Sequence, residues 1–238
     1  MNKIKYLLVY TIPLVTVGAF VYDGYWSWAT VVYAFGILPL VDHLMKVNTL
    51  NLTEHQAKDA VSSKFYNIAL YGTVPVQLGF VAWFVLVILQ QDLTSLDLVA
   101  KTLSMGAMSS VLAINSAHEI GHRSGALNKL SSKLLLTSVL YAHFFEEHNY
   151  GHHKNVGTYD DPATARRGEW LYVFVLRSMI FGWLGAWRIE NKRLTRNGGS
   201  ALSFKNDVLI WQVIQLSLAI SILYFLGTVT LVCFAAAS

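Results

Sequence analysis

The sequence predicts an all-α, multi-spanning membrane protein, and three observations carry that prediction. Hydrophobic residues fill 54% of the 238 positions and charged residues only 13%, against about 25% charged in a typical soluble domain. The apolar residues come in long runs rather than in alternation, and the mean hydropathy is +0.44. Lys and Arg gather in the segments on one side of those runs, the bias that orients a membrane protein.

A helix needs roughly 20 mostly apolar residues to cross the hydrocarbon core. Residues 4–22 and 25–41 meet that length as a pair, broken by Asp23-Gly24, and 68–90 and 96–117 form a second pair around the polar 91–95. The opening run has the length of a signal peptide, but it shows no small-residue cleavage site and another span follows at once, which predicts a retained helix. Residues 134–145 are apolar but too short to span. Residues 170–187 are long enough, but Arg177 near their middle argues against a full crossing. Residues 207–227 form a further span, after which a new apolar stretch begins and runs to Ser238. No linker, repeat or low-complexity tract interrupts the pattern, so 1–238 reads as one domain of about five spans plus the start of a sixth.

Lys3 and Lys5 precede the first span, Lys46, Lys58 and Lys64 lie between the hairpins, and eleven more Lys and Arg from Arg123 to Lys205 follow the fourth span, not counting Arg177 of the apolar 170–187 run. The two short connections on the other side carry Asp23 and Asp92 and no basic residue. Both hairpin tips therefore face out, and every histidine falls on the cytoplasmic side. The net charge of +4 and pI near 9.1 follow from those loops. They suit anionic lipid headgroups or an acidic soluble partner, and nucleic acid is not needed to explain them. Cys233, the single cysteine, lies in an apolar run, so neither a disulfide framework nor a thiolate metal site is expected.

Two histidine clusters follow the fourth span: His118-Glu119-Ile120-Gly121-His122, and Glu147-His148-Asn149-Tyr150-Gly151-His152-His153. Residues four apart share a helix face, so His118/His122 and His148/His152 are each expected to grip a metal from one helix, with His153 about a quarter turn away. Five imidazoles exceed the four donors of a tetrahedral site, which points to two ions or to one ion plus a shared site. Imidazole suits Zn, Cu, Fe and Ni alike. Glu119 and Glu147 are candidates to hydrogen-bond the second ring nitrogen of ligand histidines, while Glu146, Asp160, Asp161 and Glu169 are acidic neighbours without an assigned role. His43, His55 and His143 lack partners at helical spacing and are read as structural or supporting residues. The first cluster also matches H-E-x-x-H, in which a glutamate activates a zinc-bound water. An intramembrane zinc protease is thus an alternative, although it leaves most of the second cluster unexplained.

The sequence resembles the membrane-bound alkane monooxygenases, within the wider group of histidine-box desaturases and hydroxylases. The resemblance is carried by Asn115-Ser116-Ala117-His118-Glu119-Ile120-Gly121-His122-Arg123, by His143-Phe144-Phe145-Glu146-Glu147-His148-Asn149-Tyr150-Gly151-His152-His153, and by Asp161-Pro162-Ala163-Thr164-Ala165-Arg166-Arg167-Gly168-Glu169. Three residues separate His148 from His152-His153, as in alkane hydroxylases, whereas desaturases usually have two. Pro39 and Asp42 match the family's early P-x-x-D pattern. The resemblance implies an integral protein of the bacterial inner membrane with two non-haem irons held by histidine. It implies insertion of one atom of O2 into the terminal C–H of a medium or long n-alkane, with electrons from rubredoxin and its reductase at the cytoplasmic face. His118 and His122 match the first iron box, and His148, His152 and His153 the second, with no catalytic residue beyond these ligands. An apolar substrate would need an apolar channel, for which Trp83, Phe84, Gly79 and Gly106 are candidates, ordinary helix packing being at least as good an account of each.

Family members carry two further motifs, a lone histidine in N-Y-x-E-H-Y-G and a final H-x-x-H-H box, and neither is present here. The expectation is therefore a C-terminally truncated enzyme with an incomplete ligand set and impaired turnover. A non-catalytic, metal-binding membrane remnant stands beside it as an alternative.

Overall fold

The computed structural model describes residues 3–45, 53, 54, 58, 63–90 and 92–238. The described residues form helices and no strand. Lys46 and His55, which entered the sequence reading, lie outside them. Among the described residues, four helices are long and apolar enough to cross a membrane: α2 (Gly24–Leu44), α3 (Lys64–Leu89), α4 (Ser95–Gly121) and the run Asp207–Ala237. α1 (Thr11–Val21) belongs to a shorter apolar helix, Tyr6–Val21. α5 (Ala126–Thr137), α6 (residues 144–155) and α7 (Leu171–Arg196) follow α4. The last run is two helices, because Gly227 has φ +87° and ψ 171°. Only glycine takes up such a backbone without a Cβ penalty, and the chain breaks into α8 (residues 207–226) and α9 (residues 228–237) where the sequence reading ended its span.

The chain divides into two compact units, 1–117 with 222–238, and 118–221. The first is built on α1, α2, α3, α4 and the C-terminal residues. Its core holds Ile12, Phe20, Phe84, Met105, Met108, Leu112 and Cys233, all buried. Phe20 meets Phe84, Phe80 and Trp83 at ring-centroid distances of 5.7, 6.0 and 5.3 Å. Phe84 and Trp83 thus pack as ordinary core residues, and a Cβ on Gly106 would lie 3.5 Å from the Ala237 carbonyl. The turn between α1 and α2 is tied to the start of α4 by polar bonds. Asp97 accepts from the Gly24 N–H and the Ser27 hydroxyl, both at 2.7 Å, while the Thr94 side chain caps α4 by accepting from the Asp97 N–H. Lys101, fully buried, donates to the Phe20 and Tyr22 carbonyls at 3.0 and 3.1 Å and pairs with Asp23. A lysine in a membrane span persists when paired and hydrogen-bonded in this way.

The second unit holds every described histidine except His43, which is exposed in α2. Buried ion pairs join its helices. Lys133 of α5 and Glu146 of α6 are 1% and 3% exposed and 2.5 Å apart, and Asp207 lies 3.3 Å from the same ammonium and also pairs with Lys129. Glu190 of α7 accepts two bonds from Arg193 and one from the Asp207 N–H, which fixes the end of α7 to the start of α8. Burial pushes the Glu146 carboxyl up, with Lys133 opposing. The same burial acts on Glu190, but bonds from Arg193 and the Asp207 N–H outweigh it and hold that carboxylate low.

Candidate metal centre

The last turn of α4 and the middle of α6 carry the histidine boxes. Two of the rings are set by α-helical spacing: the Nε2 atoms of His118 and His122 are 3.2 Å apart. The second box departs from that rule. His148–His152 form a π-turn, whose i to i+5 closure brings His148 and His153 into register, Nε2 to Nε2 at 3.0 Å. His148 also lies 3.3 Å from His122. The expected pairing of His148 with His152 is therefore corrected: the wider turn puts His153 in the position foreseen for His152. Nitrogens of His118, His122, His148 and His153 all lie within 4.8 Å of one another.

Those spacings fit a metal ion. A metal–imidazole bond of about 2.1 Å puts neighbouring nitrogens about 3.0 Å apart in an octahedral shell and about 3.4 Å apart in a tetrahedral one. The three close contacts, 3.0 to 3.3 Å, fall in that interval. Ligand imidazoles must be neutral. Burial, and after it the other four box histidines, bring His148 down to about 3, so it presents a lone pair at neutral pH. Phe144 stacks on the same ring, with centroids 4.7 Å apart and planes within 19°, and so limits its rotation.

His152 is turned elsewhere. Its ring stacks beside His148, centroids 5.2 Å apart, and its Nδ1 lies 3.0 Å from Oδ2 of Asp161, which is 1% exposed. Asp161 also accepts from the Thr164 hydroxyl and the Ala163 N–H. Burial pushes this carboxyl up, but those bonds and His152 outweigh it and keep it ionised. A carboxylate on Nδ1–H fixes the tautomer and leaves Nε2 free as a donor atom. Sequence reasoning left Asp161 without a role. Its place nine residues after His152, beyond the end of α6, follows no helical periodicity that would have pointed to it.

The two glutamates expected to support the ligands behave differently. Glu119 pairs with Arg123 at 3.2 Å, its side chain 59% exposed, so its carboxylate is engaged by a guanidinium rather than by an imidazole. Glu147 is buried, and burial followed by the charge of Asp161 raises its carboxyl to about 7, with His152 opposing. Gly151 and Gly185 make room for it: a Cβ on Gly151 would meet Glu147 Oε1 at 2.7 Å and Ile189 at 3.0 Å. His143 packs edge-on to Tyr141 at 4.7 Å, and burial lowers it to about 4.

Two further features adjoin the boxes. Arg177 makes a bidentate bond to Glu169, 2.6 and 2.8 Å, and donates to the Pro162 and Thr164 carbonyls. This arginine, read from the sequence as an obstacle to membrane crossing, is fully engaged within the protein, and it holds the Glu169 carboxylate down to about 2. A groove of about 1320 Å³ is lined by Glu147, Tyr150 and a run of basic side chains that includes Lys154, Arg188, Lys192 and Arg196.

The comparisons agree with this geometry. Residues 96–238 match the family model described as fatty acid desaturase. The chain is 37% identical over 201 residues to an alkane 1-monooxygenase of Pseudomonas putida, covering 83% of this chain and 49% of that protein. It is 34% identical over 210 residues to alkane 1-monooxygenase 1 of Alcanivorax borkumensis, covering 87% and 51%. A xylene/toluene monooxygenase hydroxylase component of Pseudomonas putida is 25% identical over 223 residues, covering 92% and 58%. The chain spans about half the length of the relatives it matches. With a desaturase-family match over more than half its length and the histidine boxes gathered at one point, this chain belongs to the fatty acid desaturase family, and the relatives it resembles at about a third identity are alkane monooxygenases.

Proposed function

We propose that this chain carries the iron-holding part of an alkane hydroxylase of the bacterial inner membrane. The reaction inserts one atom of O2 into the terminal C–H of an n-alkane. It consumes two electrons and two protons and releases a 1-alkanol and water. The observation that supports this most directly is the gathering of four imidazole nitrogens within 4.8 Å in a chain similar to alkane 1-monooxygenases.

His118, His122, His148 and His153 would hold one ion, and His152, oriented by Asp161, would contribute to a second whose remaining donors lie beyond these five. Non-haem iron, when bound, supplies the reductive activation of O2 that an unactivated C–H bond requires. The protein's own contribution is orientation. The π-turn aligns His148 with His153, Phe144 restrains the His148 ring, and Asp161 fixes the tautomer of His152. We place this face in the cytoplasm from the distribution of Lys and Arg. The basic groove beside α6 and α7 suits an acidic electron carrier, rubredoxin with its reductase in this reading.

Metal content is the primary test, because four nitrogens alone complete only one ion and turnover of the chain by itself is expected to be low. The purified 238-residue chain from iron-replete cells should carry iron in preference to zinc. His148→Ala should lose it, while Glu119→Gln should keep it within twofold. Zinc alone, together with peptide cleavage that Glu119→Gln abolishes, would restore the protease alternative. Conversion of octane to 1-octanol with a rubredoxin system, absent in His148→Ala, is the activity readout.

A further inference from the structure

The segment between α6 and α7 carries Asp161, and Asp161 is the partner of His152. What fixes that segment is a side chain on another element. Arg177, one and a half turns into α7, spreads its guanidinium over four bonds. Nε and Nη2 go to the two Glu169 oxygens at 2.6 and 2.8 Å, Nη1 to the Pro162 carbonyl at 3.1 Å, and Nη2 also to the Thr164 carbonyl at 3.0 Å. Pro162 follows Asp161 directly, and the Thr164 hydroxyl donates to Asp161 Oδ2. Glu169 in turn accepts from the Arg166 N–H at 3.0 Å, which closes the segment on itself. The Arg177 and Glu169 side chains are only 11% and 8% exposed, so the two ends of the clamp cover each other.

We infer that Arg177 is a positioning residue for the metal centre: it holds the 161–169 segment so that Asp161 meets Nδ1 of His152 and directs Nε2 of that ring toward a metal. The inference rests on reading the histidines as a metal site. A planar fork is needed, because one carboxylate and two carbonyls approach from separate directions, and the point charge of a lysine cannot serve all three. Arg177 touches no imidazole among the described contacts, so its effect passes through Asp161 alone. Outer partners of ligand histidines typically set metal affinity by about 10–100-fold.

Cobalt(II), which imidazole sites bind and whose visible spectrum reports the coordination shell, is the probe, titrated into the purified 238-residue chain in detergent. Arg177→Gln and Asp161→Asn are each expected to weaken by about 10–100-fold the cobalt-binding step that His152→Ala removes, and to leave the step carried by the four-histidine cluster unchanged. The double variant should be no weaker than the worse single, since both act on one contact, whereas a general loss of stability would multiply. Arg177→Lys should leave most of the loss in place. Glu169→Gln, which keeps the shape of the clamp, covers the case in which Arg177→Gln does not fold, and should shift affinity in the same direction by less. Parental cobalt affinity in both Arg177→Gln and Glu169→Gln, full rescue by lysine, or multiplicative losses would each overturn the role of Arg177 while leaving the histidine site standing. A parent chain that binds no cobalt would overturn both.

Discussion

Replacing Lys133 by methionine tests whether buried ion pairs hold the histidine-bearing unit together. The lysine is 1% exposed, lies 2.5 Å from Glu146 and 3.3 Å from Asp207, and sits over the Phe145 ring at 5.1 Å. Methionine keeps the volume and the contact with Phe145 but leaves Glu146, itself 3% exposed, as a buried carboxylate without its cation. Removing one partner of a buried pair costs about 3–5 kcal/mol, whereas replacing both with apolar groups is often neutral. In a chain of this size that loss corresponds to roughly 6–20 °C in Tm. Lys133→Met/Glu146→Leu should recover most of it. Thermal unfolding in detergent, followed by circular dichroism, reads both numbers. A loss under about 1 kcal/mol for Lys133→Met, or a double variant as unstable as the sum of the singles, would refute the reasoning. Because Glu146 lies two residues before His148, the single variant should also lower metal occupancy.

Two further outcomes follow from particular side chains. His143 has a buried Nε2 without a hydrogen-bond partner among the described residues, and burial lowers the group to about 4. The folded state therefore prefers the neutral ring. Its contribution is complete above the ordinary value of 6.5 and is lost as the pH falls toward 4, about 3 kcal/mol in all at 1.36 kcal/mol per pH unit. His143→Gln should remove that share of the pH dependence of the metal-free chain over the window, measured as Tm against pH, while His148 and Glu147 keep theirs. Gly151→Ala would drive a methyl into Glu147 and Ile189 and should cost about 1–3 kcal/mol. Gly18→Ala, in α1 with open space around it, should be neutral or stabilising by up to about 1 kcal/mol. Equal thermal stability of the two alanine variants would count against the tight approach at Gly151.

Four of the five expected spans coincide with helices long and apolar enough to cross a membrane, because length and hydropathy are local properties, while the first, 4–22, falls on the shorter helix Tyr6–Val21. The break at Gly227 fell where apolar periodicity had already ended a helix. The histidine boxes were legible as boxes, but not their internal pairing, because the four-residue rule assumes an α-helix. A π-turn over His148–His152 shifts the register by one residue and exchanges the places of His152 and His153. Nothing in the sequence distinguishes that turn from an α-turn. The Arg177–Glu169 clamp and the Asp161–His152 contact were hidden for a different reason. Each joins a helix to an irregular segment, where spacing along the chain sets no direction in space. Phe84 and Trp83 show the reverse case: aromatic side chains named as channel candidates from the sequence pack on Phe20.

The donor set of the centre also has a physical cause beyond the placement of histidines. Acidic residues are plentiful around the boxes, and carboxylates compete well for hard cations. Yet the four-residue cluster contains none. Each neighbouring acid with a described bond is engaged by another group. Glu119 is held by Arg123, Glu146 by Lys133, Glu169 by Arg177, and Asp161 by Thr164, the Ala163 N–H and the outer nitrogen of His152. Glu147 stays ungripped by a cation among the described ion pairs, and burial raises it to about 7, which weakens it as an anionic ligand. On the reading proposed above, an all-nitrogen shell would be maintained by the cations and N–H groups that engage the carboxylates as well as by the imidazoles themselves. On that ground, releasing an acid from its partner should change the composition of the shell and not only its stability. Lys133→Met, which frees Glu146 two residues before His148, is the variant in which a carboxylate-bearing cobalt spectrum should first be sought.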